Sequence, residues 1–365
     1  MAACPLPALG ELRRSAERGH LLAQPIALLE GVPLEARPRV VVSRCLGFAN
    51  CRYDGAIVAC DLVERLKPFV EFIPICPEVA IGLGVPRDPI RVLRTRSGLR
   101  LFQPSSGLDL TVRMRDWANE FLRSLPEIHG FLLKSRSPSC ALRDAKHYLR
   151  PDSEVPLGRG PGLFGASVLE RFRQLPAEDE MRLADPRRRE HFLTRIFCLA
   201  RFSEVKAAGQ ARALLDFHTR HKLLFVAYNQ RVFRRMERVV ARMNPSGGAE
   251  WLAEYEALVL AALARPPRLR SVANALTQAF CYFSRSLEKA EQELFLSMIA
   301  LFREGQLPVS APLSLLRGWA FRFGEARMAG QAFFAPYPEA LRELQVHGTK
   351  DEGECPRRRS PLSRR

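Results

Sequence analysis

The chain has 365 residues, 47% of them hydrophobic, and this length favours about two domains with substantial cores. Lys and Arg number 56 against 39 Asp and Glu, so the formal net charge is +17. A protein this basic usually binds a polyanion, with nucleic acid as the first candidate, although a genome rich in arginine codons would produce the same excess. No apolar run reaches the ~18 residues that a membrane span needs, and residues 1–38 lack the basic start and apolar core of a secretory signal. We therefore expect a cytoplasmic protein that does not enter a membrane.

The first half of the chain has the pattern of an α/β domain. Residues 1–38 are interpreted as an N-terminal extension, and residues 39–176 alternate short apolar runs with amphipathic segments. Such alternation is typical of a parallel sheet with flanking helices, in a Rossmann-like arrangement. The predicted strands are 39–43, 70–75 and 129–134, the predicted helices are 56–67, 109–124 and 163–174, and residues 82–103 are predicted as a long functional loop.

The second half has a helical pattern throughout. A polar, proline-bearing stretch at 176–187 is interpreted as the boundary, with a helical domain at 188–345 and a disordered basic tail at 346–365. The predicted helices are 214–226, 231–243, 249–263, 272–283 and 287–302. The sequence therefore predicts an all-α C-terminal domain behind the α/β domain.

Each of the three predicted strands delivers one cysteine just past its carboxyl end. These residues are Cys45, Cys76 and Cys140. The carboxyl ends of parallel strands meet at one edge of a sheet, which is where open α/β sheets bind ligands. Nine cysteines, an odd number in a chain without an export signal, favour reduced thiols over disulfides. We therefore expect a metal or cluster site here, the alternative being ordinary buried cysteines, with Cys51 as a fourth ligand or a neighbour.

The helical half carries two patterns of charged and titratable residues. His218 and His221 have the spacing of two metal ligands on one helix face, but a third ligand is not evident, so a capped or core-edge pair is favoured. Arginines at three- and four-residue spacing form one basic helix face with few balancing acids, which favours phosphate binding over a solvated surface. The residues interpreted as RNA-binding are Arg220, Lys222, Arg231, Arg234, Arg235, Arg238 and Arg242.

Five motifs of the first half occur in a fixed order and identify a family. They are Ser43-Arg-Cys45-Leu-Gly, Cys51-Arg-Tyr-Asp-Gly55, Pro74-Ile-Cys-Pro-Glu78, Gly82-Leu-x-Val-Pro-Arg87 and Lys134-Ser-Arg-Ser-Pro-Ser-Cys140. Residues 38–175 resemble the thiouracil desulfidase family through these motifs. Residues 215–224, in the helical half, resemble a second uncharacterised domain that is often fused to the first. The fused arrangement is similar to bacterial desulfidases that remove sulfur from 4-thiouridine in transfer RNA.

The resemblance implies a cofactor and a reaction. Cys45, Cys76 and Cys140 match the three ligands of a 4Fe–4S cluster, Glu78 matches the catalytic acid/base, and Ser137 matches a polar residue beside the substrate. It further implies that the iron without a cysteine ligand binds the thiocarbonyl sulfur, while Glu78 takes the proton of a water that attacks C4. The products implied are uridine and hydrosulfide.

Other residues near these motifs are weaker candidates for substrate contact, because each is more commonly a salt-bridge, turn or surface residue. They are Arg52, Tyr53, Asp54, Lys134 and Ser139, with Arg87 and Arg91 as possible phosphate contacts. Two other functions stay open for the whole chain. One is a desulfidase of free thiopyrimidines, and the other is a non-catalytic nucleic-acid-binding protein whose cluster senses redox state.

Overall fold

The structure is a computed structural model that describes residues 36–243 and 249–342. The predicted N-terminal extension, 1–38, lies outside these ranges except for its last three residues, and the predicted basic tail, 346–365, lies outside them completely.

The α/β half contains two sheets built from nine strands in the described ranges. The strands are β1 (Arg39–Ser43), β2 (Glu71–Ile75), β3 (Arg91–Thr95), β4 (Gly98–Gln103), β5 (Leu108–Asp109), β6 (Gly130–Leu133), β7 (Ala145–Tyr148), β8 (Gly158–Gly160) and β9 (Ala177–Asp179). The first sheet has the order β2-β1-β6-β9, and all its neighbouring strands are parallel. Its central strand, β1, is a run of three valines that are buried on both faces. The prediction of a parallel sheet is therefore confirmed.

The second sheet was not predicted. It has the order β5-β4-β3-β7-β8, with only the β3–β7 pair parallel. Two of its strands, β3 and β4, lie within residues 82–103, so the prediction of a long loop is wrong for residues 91–103, whereas residues 82–90 form no strand or helix. Arginines lie among the apolar residues of both short strands, and their tertiary packing, with Val92 and Leu101 fully buried, reveals them as sheet.

Four helices flank the sheets. They are α1 (Asp61–Leu66), α2 (Pro77–Ala80), α3 (Thr111–Ser124) and α4 (Leu163–Arg171). Three of them, α1, α3 and α4, lie close to where the sequence predicts helices, whereas α2 was not predicted. Helix α3 buries Met114, Ala118 and Leu122, which stand four residues apart on one face, as the amphipathic pattern indicates. Residues 56–60, predicted as the start of the first helix, are not helical.

The second half is a helical bundle in the ranges that the structure describes. Its helices are α5 (Pro186–Ala208), α6 (Ala211–Ala241), α7 (Ala249–Ala262), α8 (Leu269–Cys281), α9 (Lys289–Arg303), α10 (Ser310–Arg322) and α11 (Ala326–Ala329). Helix α5 packs against both halves. Its Phe192 and Ile196 pack with two valines of β1, and its Phe202 and Val205 pack in the bundle core. The predicted architecture, an α/β half followed by an all-α half, is confirmed.

Helix α6 is two helices joined at Asn229, whose backbone is non-helical at φ −159° and ψ 90°. The ring centroids of His218 and Phe233 lie 5.2 Å apart, whereas a straight helix would separate these residues by about 22 Å. The Asn229 side chain accepts a hydrogen bond from the Val232 N–H at 3.1 Å and so caps the second helix. This break agrees with the two separate helices predicted at 214–226 and 231–243.

Strand β9 lies within residues 176–187, the stretch interpreted as the boundary between the halves. The proposed division of the chain into domains stays a prediction. In the described ranges, the structure has no helix that is both long enough and apolar enough to span a membrane.

Candidate active site

The three cysteines that follow the strands of the first sheet line a single pocket of about 730 Å³ at the carboxyl edge of that sheet. Cys45 lies in the turn after β1, Cys76 is the N-cap of α2 directly after β2, and Cys140 follows β6 through a tight turn. Cys51 lines the same pocket. The structure therefore brings together the thiols that the sequence placed at equivalent strand ends.

Cys51 lies between two of the predicted ligands. The Cys76 thiol donates a hydrogen bond to the Cys51 carbonyl oxygen at 3.7 Å, and the neighbouring Cys45 side chain is the largest cause that raises the Cys51 pKa. The pKa of Cys76 is raised by its hydrogen bond with Cys51 and by burial, and the pKa of Cys140 is raised by burial. These thiols are therefore neutral at ordinary pH, and iron binding would displace the protons of Cys76 and Cys140.

The donor set of this pocket suits an iron–sulfur cluster. Among residues 36–243 and 249–342, no three His, Cys, Asp or Glu side chains are placed to hold one metal ion. The ligands of a 4Fe–4S cluster bind different iron atoms, so they stand further apart than ligands of one ion. Three soft thiol donors at one sheet edge match iron–sulfur ligation.

The turn that carries Cys140 is held by Ser137. Its Oγ accepts hydrogen bonds from the N–H groups of Ser139, at 3.2 Å, and Cys140, at 3.0 Å. The start of α4 packs tightly against this turn, because a Cβ at Gly162 would lie 2.5 Å from the Pro138 carbonyl oxygen and one at Gly165 would lie 2.1 Å from that of Ala141. Ser137 also lines the pocket, so it reaches both the turn and the space for substrate.

Glu78, two residues past Cys76, is largely buried in the pocket wall at 9% exposure. Its Oε2 accepts hydrogen bonds from Arg87 Nη2 at 2.6 Å and Nε at 2.9 Å. Its Oε1 accepts one from Ser139 Oγ at 2.9 Å. Ser139 is itself fully buried, and its hydroxyl donates to Glu78. The carboxylate thus stands beside the cysteines in a fixed orientation.

Two of the other candidate substrate residues, Arg52 and Lys134, form ion pairs with carboxylates. Arg52 and Tyr53 line the pocket, and the Arg52 guanidinium forms a two-point ion pair with Asp54, at 2.9 and 3.0 Å. Lys134 also lines the pocket, where its Nζ contacts Glu180 Oε1 at 2.5 Å. Burial raises the Glu180 pKa, but hydrogen bonds from Lys134 and Ser135 outweigh it and lower that pKa.

Four further cations line the pocket, and only Arg91 was considered from the sequence. The four are Arg91, Arg136, Lys146 and Arg159. None has an ion-pair partner in the part of the chain that the structure describes, in contrast to Arg52, Arg87 and Lys134. Lys146 lies on β7 and Arg159 on β8, so both were missed with the second sheet. Arg91 lies over the ring of Tyr148 at 4.6 Å and donates to the Pro151 and Ser153 carbonyls.

The candidate residues of the helical half lie outside this pocket. Arg220 and the arginines of the predicted basic face, Arg231, Arg234, Arg235, Arg238 and Arg242, are exposed, and Lys222 is half-buried. Arg242 pairs with Glu254. His218 hydrogen bonds to the Tyr255 hydroxyl at 2.9 Å, and the fully buried His221 stacks on Phe217. His221 is thus a core residue and His218 is a half-buried residue at the edge of the core, as the sequence analysis favoured.

Comparison with known proteins finds two family models along the chain. Residues 40–180 match the model described as 2-thiouracil desulfurase, and residues 222–338 match one described as a protein of unknown function, DUF1722. The two matches confirm the resemblance inferred from the motifs and the fused arrangement.

Individual relatives cover parts of the chain. The uncharacterized protein YbgA of Escherichia coli K12 is 29% identical over 41% of this chain and 89% of its own length. The uncharacterized protein YbbK of Bacillus subtilis 168 is 31% identical over 28% of this chain and 72% of its own length. Among solved structures, the [4Fe-4S]-dependent thiouracil desulfidase TudS is 28% identical, covers 40% of this chain and 93% of its own, and has a TM-score of 0.32.

Proposed function

The chain belongs to the 2-thiouracil desulfurase family, and on this basis we propose that it is an iron–sulfur-dependent desulfidase that acts on 4-thiouridine in transfer RNA. The observation that carries the proposal is the convergence of Cys45, Cys76 and Cys140 with Glu78 in one pocket. The overall reaction replaces a C=S bond with C=O, takes up one water and releases hydrosulfide and a proton. We place the enzyme in the cytoplasm, where its RNA substrate would be found.

The three cysteines would hold a 4Fe–4S cluster through their thiolates. When bound by three cysteines only, such a cluster supplies an iron atom with an open position, a Lewis acid suited to a soft sulfur atom. The chain's own contribution is to place these ligands at one sheet edge and to keep the pocket between the two sheets.

Glu78 is positioned to take the proton of the attacking water. Its carboxylate lines the pocket within the same short segment as Cys76, so it lies beside the cysteine ligands. Ser137 Oγ accepts hydrogen bonds from two backbone N–H groups, and the Ser137 hydroxyl also interacts with the Cys140 sulfur. We assign general-base catalysis to Glu78 and support of the Cys140 turn, next to the substrate, to Ser137.

The charge distribution supports an RNA substrate over a free base. Arg91, Arg136, Lys146 and Arg159 surround the pocket without carboxylate partners in the described ranges. A free thiopyrimidine has no phosphate to engage them, whereas a nucleotide within RNA does. The exposed arginines of α6 extend the basic surface on the helical half. Binding of this kind depends strongly on salt, and the target base must leave its stack to enter the pocket.

The test is anaerobic desulfuration of bulk bacterial transfer RNA. The protein is reconstituted with iron and sulfide and incubated with the RNA, which is then digested so that 4-thiouridine can be quantified by mass spectrometry. Free 4-thiouracil is incubated in parallel, and the protein without iron is the control. Loss of 4-thiouridine from RNA with a matching rise in sulfide is expected.

Turnover of free 4-thiouracil alone would retain the desulfidase activity but contradict the RNA substrate. A fully reconstituted cluster with no sulfide release from either substrate would contradict the proposed activity, and RNA binding in that case would favour a redox-sensing role.

A further inference from the structure

The Glu78 carboxylate has an unusual hydrogen-bond arrangement. Arg87 donates to Oε2 from both Nη2 and Nε, at 2.6 and 2.9 Å, while Ser139 donates to Oε1 at 2.9 Å. A carboxylate offers about four lone-pair sites, two on each oxygen. Oε2 is therefore saturated by Arg87, and Oε1 keeps one acceptor site beyond the bond from Ser139.

Arg87 is fixed as firmly as the carboxylate it holds. Its side chain is 6% exposed, Nη2 also donates to the Cys51 carbonyl at 3.1 Å, and Nη1 donates to the Gly84 carbonyl at 3.1 Å. Its backbone N–H donates to the Tyr53 carbonyl at 2.9 Å. One guanidinium thus joins the loop that follows Cys45, the segment that carries Cys76 and Glu78, and its own loop.

These contacts distinguish Arg87 from the pocket cations that have no ion-pair partner among the described residues. The sequence analysis considered Arg87 as a phosphate contact, but its donors already bind Glu78, Cys51 and Gly84. A lysine would not reproduce them, because it lacks the rigid planar fork that reaches one carboxylate oxygen through two nitrogens.

We propose that Arg87 is the positioning residue of the reaction, which fixes Glu78 so that its single open acceptor site, on Oε1, is the one that receives the proton from water. This inference rests on the proposed function of Glu78 as general base. In this role Arg87 acts through Glu78, whose Oε2 it holds with two nitrogens. Displacement of a catalytic group by about 1 Å can cost about 10²-fold in rate, so this constraint would matter for turnover.

The first experiment compares Arg87→Met with Arg87→Lys in the reconstituted full-length protein, using whichever thiolated substrate the wild type turns over. Arg87→Met is expected to lower kcat by about 10²-fold with little change in KM, and Arg87→Lys to fall between it and the wild type. Arg182→Met is the matched control, because Arg182 also pairs with a glutamate, Glu178 at 2.8 Å, but does not line the pocket.

The second experiment is a double-mutant cycle with Glu78→Gln. If Arg87 acts only through Glu78, Arg87→Met will cause no further loss of kcat in the Glu78→Gln protein. A loss of full size in that background would overturn the proposal. A rise in KM with unchanged kcat would also overturn it, since that result would make Arg87 a substrate-binding residue.

A readout that does not depend on turnover separates this inference from the proposed function. Anaerobic crystal structures of the wild type and of Arg87→Met, with iron content measured for each, should show the Glu78 carboxylate moved from Ser139 in the variant. An unmoved Glu78 in Arg87→Met would overturn the positioning role even if the activity fell. If the wild type desulfurates no substrate, the proposed function fails, whereas the position of Glu78 still decides what Arg87 does. Should Arg87→Met fail to fold, Arg87→Lys is examined by the same two measurements.

Discussion

The pocket depends on a small number of buried polar residues whose contacts leave little freedom. Glu78 is 9% exposed and Ser139 is fully buried, so neither can exchange its protein partners for water. Removing one partner of a buried charged pair leaves the other uncompensated, at a typical cost of about 3–5 kcal/mol. Single substitutions here are therefore expected to separate loss of the cluster from loss of turnover.

Glu78→Gln is expected to retain the cluster but to lower kcat by about 10²- to 10⁴-fold, because an amide cannot accept the proton of water. The measurement is iron content and visible absorbance together with sulfide release. Glu127→Gln is the matched control, since Glu127 pairs with Lys206 at 2.5 Å and lies outside the pocket lining. Near-normal turnover of Glu78→Gln would remove this residue from the mechanism.

Substitution of Cys45, Cys76 or Cys140 by Ala is expected to abolish the cluster absorbance in each case, because three thiolates share the cluster. Cys51→Ala is expected to retain iron, since Cys51 is assigned as a neighbour of the ligands and not as one of them. Cys60→Ala, a buried cysteine outside the pocket lining, is the control. A full cluster in any of the three ligand variants would show that its assignment is incorrect.

At the scale of elements, the break at Asn229 separates two parts of α6 that differ in character. Residues before it carry the buried His221 and the aromatic contacts of the core. Residues after it place Phe233 and Met236 in the core and leave a face of exposed arginines. An acid on that face, Glu237, forms no ion pair among the described residues, and Arg242 pairs with Glu254 of α7.

The triple substitution of Arg234, Arg235 and Arg238 by Glu is expected to weaken transfer RNA binding and to lower the slope of log K against log salt. Each lost phosphate contact lowers this slope by about 0.9 for a duplex. Turnover of a free thiopyrimidine should be unchanged, because these residues lie outside the pocket. The measurement is a salt titration of RNA affinity.

The matched control for this prediction is the triple substitution of Arg265, Arg268 and Arg270 by Glu. These exposed residues precede or begin α8, and their replacement changes the net charge equally. Equal losses of RNA affinity in the two triple variants would show a general effect of charge and would contradict a specific role for α6.

At the scale of the whole molecule, the two halves meet through helix α5. His129, beside β6, accepts a hydrogen bond from the Arg39 N–H at 2.8 Å and contacts Ser203 of α5 at 3.0 Å. Lys206 of α5 contacts Glu127 and Glu256 at 2.5 Å each, so it joins the α/β half to α7. The halves are thus joined by buried and half-buried polar contacts as well as by the apolar faces of α5.

The stability of the folded chain is expected to fall as the pH drops from about 6.5 toward 4. Burial lowers the pKa of His129, His191 and His218 to about 4 and that of His221 to about 3. Below about pH 6.5 these histidines bind protons in the unfolded chain but stay neutral in the folded chain. Each histidine therefore lowers the free energy of unfolding by about 1.4 kcal/mol per pH unit in that window. Burial raises the pKa of Glu190, and this acts in the opposite sense.

The measurement for this prediction is the denaturant midpoint between pH 7 and pH 5, for the wild type and for His218→Asn. The asparagine can accept the hydrogen bond from Tyr255 but does not titrate. The difference in bound protons between the unfolded and folded states should therefore be smaller by up to one proton in the variant, so its stability should fall less steeply as the pH drops. Identical pH dependence of the two proteins would contradict a half-buried, neutral His218. Protons bound by the cluster ligands contribute equally to both proteins, so they do not affect the difference in pH dependence between the two.

The sequence by itself determined the features that depend on local pattern. Short apolar runs that end in polar turns predicted strands β1, β2 and β6, and a cysteine follows the end of each run in the sequence. Helical periodicity predicted the bundle, and the ordered motifs identified the family. These features need only neighbouring residues, because a strand or helix imposes its period on the nearby sequence.

Only the tertiary structure decided which distant residues complete the pocket. Lys146 and Arg159 face it because β7 and β8 pair in a second sheet, two of whose short strands carry arginines among their apolar residues. Arg87 binds Glu78 because its loop returns to α2, and His221 is a core residue and His218 a core-edge residue because Phe217 and Tyr255 contact them. Such contacts depend on how whole elements pack, and local propensity does not encode that packing.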